Sequence, residues 1–183
     1  MRTLIVVRQP IVEKLRNPTT KRNSVRLHRI IVFVSLFFVS QGFAQSVSVT
    51  PATTSTEVQN YVENVLLGSC VTASNITYVG ATEAAATFDG NGTVLGLNGG
   101  ILLSSGQAIR AVGPDNSNSS GFSHGLTGDP DLTDLANNFT TYDASILEFD
   151  FVPQSDTLRF NYIFGSEEYP EYVNSGYNDV FGF

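Results

Sequence analysis

The residues of this sequence with the clearest chemical potential are carboxylates near its C-terminal end. Three glutamates interleave with two tyrosines in the run Glu-Glu-Tyr-Pro-Glu-Tyr, and an aspartate follows soon after. Like charges packed this closely either face open water as a solvated rim or share a cation. Ca²⁺ is a hard ion that takes about six to eight oxygen ligands. The run is therefore a candidate calcium site, with the candidate ligands Glu167, Glu168, Glu171 and Asp179, and a solvated acidic rim is the alternative that the residues favour.

A second acidic cluster lies in the turn Gly128–Asp134, which holds three aspartates. Asp129 and Asp131 are its candidate Ca²⁺ ligands, although the turn lacks the spacing of an EF-hand loop. The alternative is structural, because aspartate is a common turn former and helix N-cap. The residue pattern favours this second interpretation.

Two patterns suggest enzymes, and neither predicts one. Gly121–Gly125 matches G-x-S-x-G, but a nucleophile elbow needs a strand before Ser123 and a helix after it, and no histidine follows His124 in this sequence. The glutamates at 167, 168 and 171 could instead serve a secreted carbohydrate-active hydrolase as acid and nucleophile or base. Their spacing along the chain does not give their separation in space, so we expect a non-enzymatic protein and keep the hydrolase as the alternative.

The basic residues are concentrated in the N-terminal segment. Eight of the ten lie before residue 30, whereas the chain from Ser46 onward has two basic and 16 acidic residues, a net charge of −14 with no lysine. This charge excludes nucleic-acid binding, which needs a basic surface. The basic stretch precedes the apolar run Ile30–Val39 and the small residues Gly42 and Ala44. These features predict a secretory signal peptide over residues 1–45, with an apolar run too short to span a membrane.

One helix and several short strands would have to position these groups after a linker over residues 46–55. Apolar residues recur at helical spacing over 57–67, behind a capping box that begins at Thr56. The rest of the chain has β-compatible runs divided by Gly- and Asn-rich turns. They are Val71–Val79, Ala84–Phe88, Gly100–Ser105, Ile109–Val112, Ile146–Val152 and Leu158–Phe164.

The last two runs alternate apolar and polar residues, so each predicts a strand with one buried face. Odd positions (Leu147, Phe149, Phe151) are apolar in the first run, and even positions (Leu158, Phe160, Tyr162, Phe164) in the second. The four-residue loop between them permits a hairpin. Its register would place Phe149 opposite Phe160 on the core side and Asp150 opposite Arg159 on the other face.

The long run Phe160–Val173, with Tyr177–Phe183, resembles the signature of the choice-of-anchor L domain family. Further matching segments are Gly99–Gly106, Asp129–Leu132 and Asp143–Phe151, so the resemblance covers about residues 55–183. It implies a surface-attached bacterial protein within a larger polypeptide that carries an anchoring or sorting domain. In gliding bacteria that signal is often read by type IX secretion. The resemblance implies no established catalytic residues.

Together these features predict an all-β fold, an antiparallel β-sandwich or jelly-roll with one N-terminal amphipathic helix. The domain would occupy residues 56–183 and would be incomplete, because the sequence stops inside the apolar run Val180–Phe183 and leaves Cys70 as its only cysteine. We expect a secreted, cell-surface module for adhesion or surface architecture, without a membrane span once the signal is cleaved. Its expected partners are extracellular carbohydrate or a surface protein, and Ca²⁺ is its only expected cofactor.

Overall fold

Antiparallel strands make up most of the regular structure. A computed structural model describes the backbone of residues 4–8 and, with side chains, residues 46–67, 71–115, 117, 120–153, 156, 159–166, 172–176 and 179–183. These residues all fall in one unit, Met1–Pro10 with Gln45–Phe183. The strands are β1 Leu4–Arg8, β2 Ser48–Pro51, β3 Ala73–Val79, β4 Ala85–Asp89, β5 Gly99–Ser104, β6 Ile146–Phe151 and β7 Asn161–Gly165.

Five strands form the larger sheet, in the order β2-β4-β5-β1-β7, and every neighbouring pair is antiparallel. Side chains alternate between the two faces of a strand. In β5 the successive residues Ile101 and Leu102 are only 2% and 1% exposed, so both faces of this strand are covered. Strand β1 was not predicted, because it lies in the segment that the sequence assigns to a leader.

Strands β3 and β6 form a separate two-stranded sheet. Its register shifts between Ser74 and Thr77, where Asn75 adopts a positive φ of 51° and donates from Nδ2 to Asp150 Oδ2 over 2.6 Å. Such a bulge adds a residue to one strand and bends it. The predicted alternation of β6 is confirmed, since its odd-numbered apolar residues are half-buried while Glu148 and Asp150 are exposed.

The N-terminal helix is confirmed, and it starts two residues earlier than the sequence predicts. Helix α1 spans Ser55–Tyr61 and continues as a wider π turn over Val62–Leu66. Thr54 is its N-cap and accepts from the Glu57 backbone N–H at 3.1 Å, whereas the predicted cap, Thr56, lies inside the helix. Val58 and Val62 are fully buried, so they anchor the apolar stripe of the helix.

Two clusters of buried side chains form the core. One contains Val49, Ala86, Phe88, Leu97, Leu102 and Ala108. The other contains Ala52, Val58, Tyr61, Tyr78, Ala85 and Ile101. The second cluster joins helix α1 to both sheets, because Tyr78 belongs to β3, Ala85 to β4 and Ile101 to β5.

The predicted hairpin between the two alternating runs is wrong. Strand β6 pairs with β3, and β7 pairs with β1 in the other sheet. Asp150 therefore lies opposite Ser74 instead of Arg159. Alternation defines which residues of a strand share a face, but it does not define the neighbouring strand, and a four-residue loop permits a hairpin without requiring one.

Two further local predictions are corrected. The run Ile109–Val112 is part of a 3₁₀ helix, Ala108–Val112, instead of a strand. A second helix, α2, spans Pro130–Leu135, although α1 was the only helix expected. Both segments are short, and short apolar runs do not distinguish a helical turn from a strand.

Candidate functional site

The G-x-S-x-G segment is held by a buried carboxylate from a distant part of the chain. Asp143 is 7% exposed and has a positive φ of 53°. Its Oδ2 accepts from Ser123 Oγ at 2.7 Å and from the His124 backbone N–H at 3.1 Å. Its Oδ1 accepts from the Leu126 backbone N–H at 2.6 Å. Asp143 therefore closes residues 123–126 into a fixed loop.

These hydrogen bonds also set the acidity of Asp143. Burial by itself would raise the pKa of this carboxyl. The hydrogen bonds from Ser123, Leu126 and His124 outweigh burial and lower the pKa from its ordinary value. The group is thus a carboxylate at neutral pH, and its negative charge is matched by three donors.

Ser123 is not placed as a nucleophile. Its hydroxyl donates to Asp143 and accepts from the Gly125 backbone N–H at 3.2 Å. The surrounding residues 121–126 form neither strand nor helix, whereas a nucleophile elbow needs both. The imidazole of His124 faces Glu83, with 3.4 Å between Nδ1 and Oε1. The geometry agrees with the expectation that this motif is not a hydrolase site.

The second acidic cluster supports the structural interpretation. Asp129 is the N-cap of α2, and its Oδ1 accepts from the Leu132 backbone N–H at 3.0 Å. Thr141, 5% exposed, accepts from the Asp129 N–H at 3.0 Å and donates to the Asp129 carbonyl at 3.1 Å. Asp131 is exposed in the first turn of α2. Asp129 thus acts as a cap, and calcium binding by this pair stays a prediction.

Three of the six predicted calcium ligands lie outside the residues that the structure describes. Glu167, Glu168 and Glu171 lie outside the described residues, as does Cys70. Asp179 is described, and both of its carboxylate oxygens are buried. Across the described ranges, no group of three or more His, Cys, Asp or Glu side chains is arranged to hold a metal ion. The glutamate-rich calcium site and the hydrolase alternative therefore stay predictions.

A cluster of exposed aromatic rings is the feature that sequence reasoning missed. We call it the aromatic face, and it consists of Phe160, Tyr162, Phe164, Phe181 and Phe183. The closest ring centroids are 4.2 Å apart for Phe160 and Phe183, 4.5 Å for Phe181 and Phe183, and 5.3 Å for Tyr162 and Phe181. These separations are typical of contacting aromatic pairs.

The aromatic face is largely open to solvent. Phe160, Tyr162 and Phe164 are 40%, 52% and 43% exposed, and Phe183 is 80% exposed. The prediction that the even-numbered positions of this strand face the core is therefore wrong for these three, and Leu158 lies outside the described residues. Ile163, on the opposite side of β7, packs against the core cluster that contains Leu102.

The layers of the fold explain this exposure. Ala85, Leu103 and Phe164 belong to one row across the larger sheet, with residue 5 of β1 between the last two. Exposure rises along the row, because Ala85 is fully buried, Leu103 is half-buried and Phe164 is 43% exposed. Helix α1 and its π turn contact β3, β4, β5 and β1, whereas β7 packs mainly against β1 among the described elements. The covering layer therefore ends before β7.

The segment that carries Phe181 and Phe183 approaches helix α2 closely. A Cβ atom on Gly182 would lie 2.8 Å from Leu135 Cδ1, so this glycine allows the close approach of α2.

Within the described part of the chain, no helix is both long and apolar enough to cross a bilayer. Alternation could have located the aromatic face only if the neighbour of β7 had been known.

Comparison with known proteins identifies one family. The sequence profile described as Choice-of-anchor L domain matches residues 48–183. No curated protein matches the chain. No solved structure matches it either.

Proposed function

The chain belongs to the choice-of-anchor L domain family, and from this membership we propose that it is an adhesion module of an exported, surface-attached bacterial protein. The family suggests a surface-associated, non-catalytic role. The predicted leader over residues 1–45 supports export, and a larger polypeptide with an anchoring or sorting domain would supply the attachment, through type IX secretion in gliding bacteria. In this proposal the chain makes contacts and catalyses no reaction.

The observation that carries the adhesive role is the aromatic face. Four of its five rings are at least 40% exposed, and a contiguous exposed apolar patch on a soluble protein commonly marks an interaction site. Aromatic rings have electron-rich faces and can pack against the C–H groups of a sugar ring. The rings of Phe160 and Phe183 contact each other with a centroid separation of 4.2 Å, so they form one continuous apolar surface.

The negative charge of the chain indicates which class of carbohydrate could bind. The chain from Ser46 onward has a net charge of −14, so anionic polysaccharides would be repelled over several ångströms. Uncharged polysaccharides avoid this repulsion and match the apolar character of the rings. We therefore propose neutral extracellular carbohydrate as the partner of the aromatic face.

Binding to insoluble neutral polysaccharides tests this function. The purified chain is incubated with cellulose, chitin, starch and a β-1,3-glucan, and the bound fraction is measured. Tyr162→Ala and Phe183→Ala should each weaken binding by about two- to tenfold, since one aromatic contact contributes about 0.5–1.5 kcal/mol. Tyr142→Ala and Phe139→Ala are the matched controls, because these rings are 60% and 64% exposed but lie outside the aromatic face.

The result would contradict the proposal if no polysaccharide bound, or if the two pairs of variants bound equally. Circular dichroism on each variant confirms that a loss of binding is not a loss of folding. The hydrolase alternative predicts a different outcome, namely release of soluble sugar that Glu→Gln changes at 167, 168 or 171 abolish. The β-sandwich or jelly-roll form and the calcium dependence belong to the same proposal, and calcium has its own test below.

A further inference from the structure

Strand β1 occupies an unusual position for a segment of a predicted leader. It lies inside the larger sheet, and it is hydrogen-bonded along both edges. Val6 lies opposite Leu102 of β5 on one side and opposite Ile163 of β7 on the other. Within the described elements, β1 is the only strand that pairs with β7.

Removal of the leader would take this strand away. In the proposed function, on which this inference rests, the leader over residues 1–45 is cleaved during export. Strands β5 and β7 would then be left about two interstrand spacings apart, or about 9–10 Å. Both would present unpaired backbone N–H and C=O groups toward the gap, which is the arrangement that recruits another strand. We call the gap between β5 and β7 the strand seat.

The residues beside the strand seat define what fits it. On one face, Leu102 is 1% exposed and Ile163 packs against the same core cluster. On the other face, Leu103 is half-buried and Phe164 begins the aromatic face. An occupant must therefore be apolar on both faces, as buried central strands usually are. The sequence Leu-Ile-Val-Val of β1 has this character and consists mainly of residues with high β-propensity.

The neighbouring strands also define the chain direction of an incoming strand. Strand β1 runs antiparallel to both neighbours, so β5 and β7 run parallel to each other. Direct pairing of β5 with β7 would need one of them to move by a full strand spacing, and Ile163 would then have to leave its packing beside Leu102. An incoming antiparallel strand restores both ladders without this movement.

We propose that the exported, leader-free chain is a strand acceptor, in which the strand seat takes an extended apolar segment of a partner polypeptide by β-augmentation. The occupant has about five residues, is apolar on both faces and runs antiparallel to β5 and β7. Backbone hydrogen bonds on two edges supply affinity, and the alternating side chains supply specificity. Before cleavage the chain's own β1 fills the strand seat, so partner binding follows export.

The test uses two forms of the protein and a labelled peptide. The leader-free form is collected from the medium of an exporting host, and N-terminal sequencing establishes where the leader was removed. The second form is the uncut full chain. A fluorescent peptide with the sequence of residues 3–9 is titrated into each, and binding is followed by fluorescence anisotropy.

The leader-free form should bind the peptide, and the uncut chain should not. A peptide with Val6→Pro should bind at least about tenfold more weakly, because proline removes a backbone donor and is excluded from central strands. A peptide with Val6→Ile, which keeps the donor, the β-branch and the apolar character, is the matched control. Hydrogen exchange of the β5 and β7 amides should slow when the peptide binds.

Three results would overturn the inference. They are equal binding by both forms of the protein, equal binding of the Val6→Pro and Val6→Ile peptides, and protection, in the leader-free form without peptide, of those β5 and β7 amides that face the strand seat. The last result would mean that the sheet had closed. Native mass spectrometry of the leader-free form distinguishes a partner polypeptide from a second copy of the chain. A dimer without added peptide would identify a second copy as the occupant of the strand seat. If sequencing shows that the leader is retained, the predicted cleavage on export is wrong, whereas the strand seat itself is not yet contradicted. The strand seat is then tested on a chain cut by a specific protease between Pro10 and Gln45.

Discussion

At the scale of single residues, Asp143 shows how a carboxylate can organise a loop without acting in catalysis. Its backbone N–H also donates to the Leu126 carbonyl at 3.1 Å, and the neighbouring Ala144 N–H donates to the Thr127 carbonyl at 3.2 Å. Side chain and backbone together therefore attach residues 123–127 to residues 143–144. A buried charge is tolerated here because its hydrogen-bond acceptors are matched by donors.

Replacing this carboxylate tests its structural role. Asp143→Asn keeps the shape but presents an amide group to three donors, so we expect the free energy of unfolding to fall by about 1–3 kcal/mol at pH 7. Asp134→Asn, at an exposed position in α2, is the matched control and should change stability by less than about 0.5 kcal/mol. Urea unfolding of the three proteins measures the difference.

The pH dependence of the same comparison gives an independent check. The pKa of Asp143 is lowered in the folded chain, so its contribution to stability is present above the unfolded pKa and is lost as pH falls through the folded value. The gap in unfolding free energy between the wild type and Asp143→Asn should therefore narrow in acid, below the ordinary aspartate pKa of 3.8. A gap that stays constant from pH 7 into this acid range would contradict the assignment.

Sequence motifs predicted a residue's role correctly where that role depends only on neighbouring residues. The N-cap interpretation of Asp129 needed only a short polar side chain before Pro130, and the structure has that cap. The partner of Ser123, in contrast, comes from 20 residues further along the chain. A fixed local pattern such as G-x-S-x-G carries no information about such a distant carboxylate.

At the scale of elements, the start of α1 provides a sharp comparison between two threonines. Thr54 accepts from the Glu57 backbone N–H, and the Glu57 carboxylate accepts in return from the Thr53 N–H at 2.9 Å and the Thr53 hydroxyl at 3.0 Å. The backbone hydrogen bond from Thr53, followed by the bond from its hydroxyl, lowers the pKa of Glu57. The N-cap is therefore Thr54 instead of Thr56, and the Glu57 carboxylate accepts from Thr53, the residue before the cap.

We expect Thr54→Ala to lower the free energy of unfolding by about 1 kcal/mol, because it removes the side-chain acceptor of the Glu57 backbone N–H. Thr56→Ala should have an effect below about 0.5 kcal/mol, since Thr56 is exposed inside the first turn. Thermal unfolding of the two single variants measures both effects. Equal losses, or a larger loss for Thr56→Ala, would contradict the position of the cap.

The strands show which part of the fold was predictable. Alternation located β6 and β7 and identified the inner face of β6 correctly. It assigned the wrong face of β7 to the core, because the even positions of this run are apolar or aromatic while Arg159 and Asn161 are polar. The choice of face depends on β1, which lies more than 150 residues earlier in the chain, and on where the layer of α1 ends. Neither is encoded in the local sequence of β7.

At the scale of the whole molecule, the net charge of −14 from Ser46 onward governs the response to ions. Acidic groups repel one another across this surface, and any salt weakens that repulsion by screening. A specific calcium effect must therefore be separated from a general effect of ionic strength. The predicted ligands fall into two groups, the glutamate-rich run with Asp179 and the pair Asp129 and Asp131.

Melting curves in CaCl₂ and in EDTA, with NaCl added to equal ionic strength, make this separation. A ligand at a hundred times its dissociation constant stabilises the folded state by about 2.7 kcal/mol, so the melting temperature should rise by about 5–10 °C in calcium for a chain of this size. Glu171→Gln should remove the rise if the first group binds, and Asp131→Asn should remove it if the second does. Coincident curves in the two buffers would mean that neither group of carboxylates binds calcium, and the acidic surface would then act only through its long-range charge.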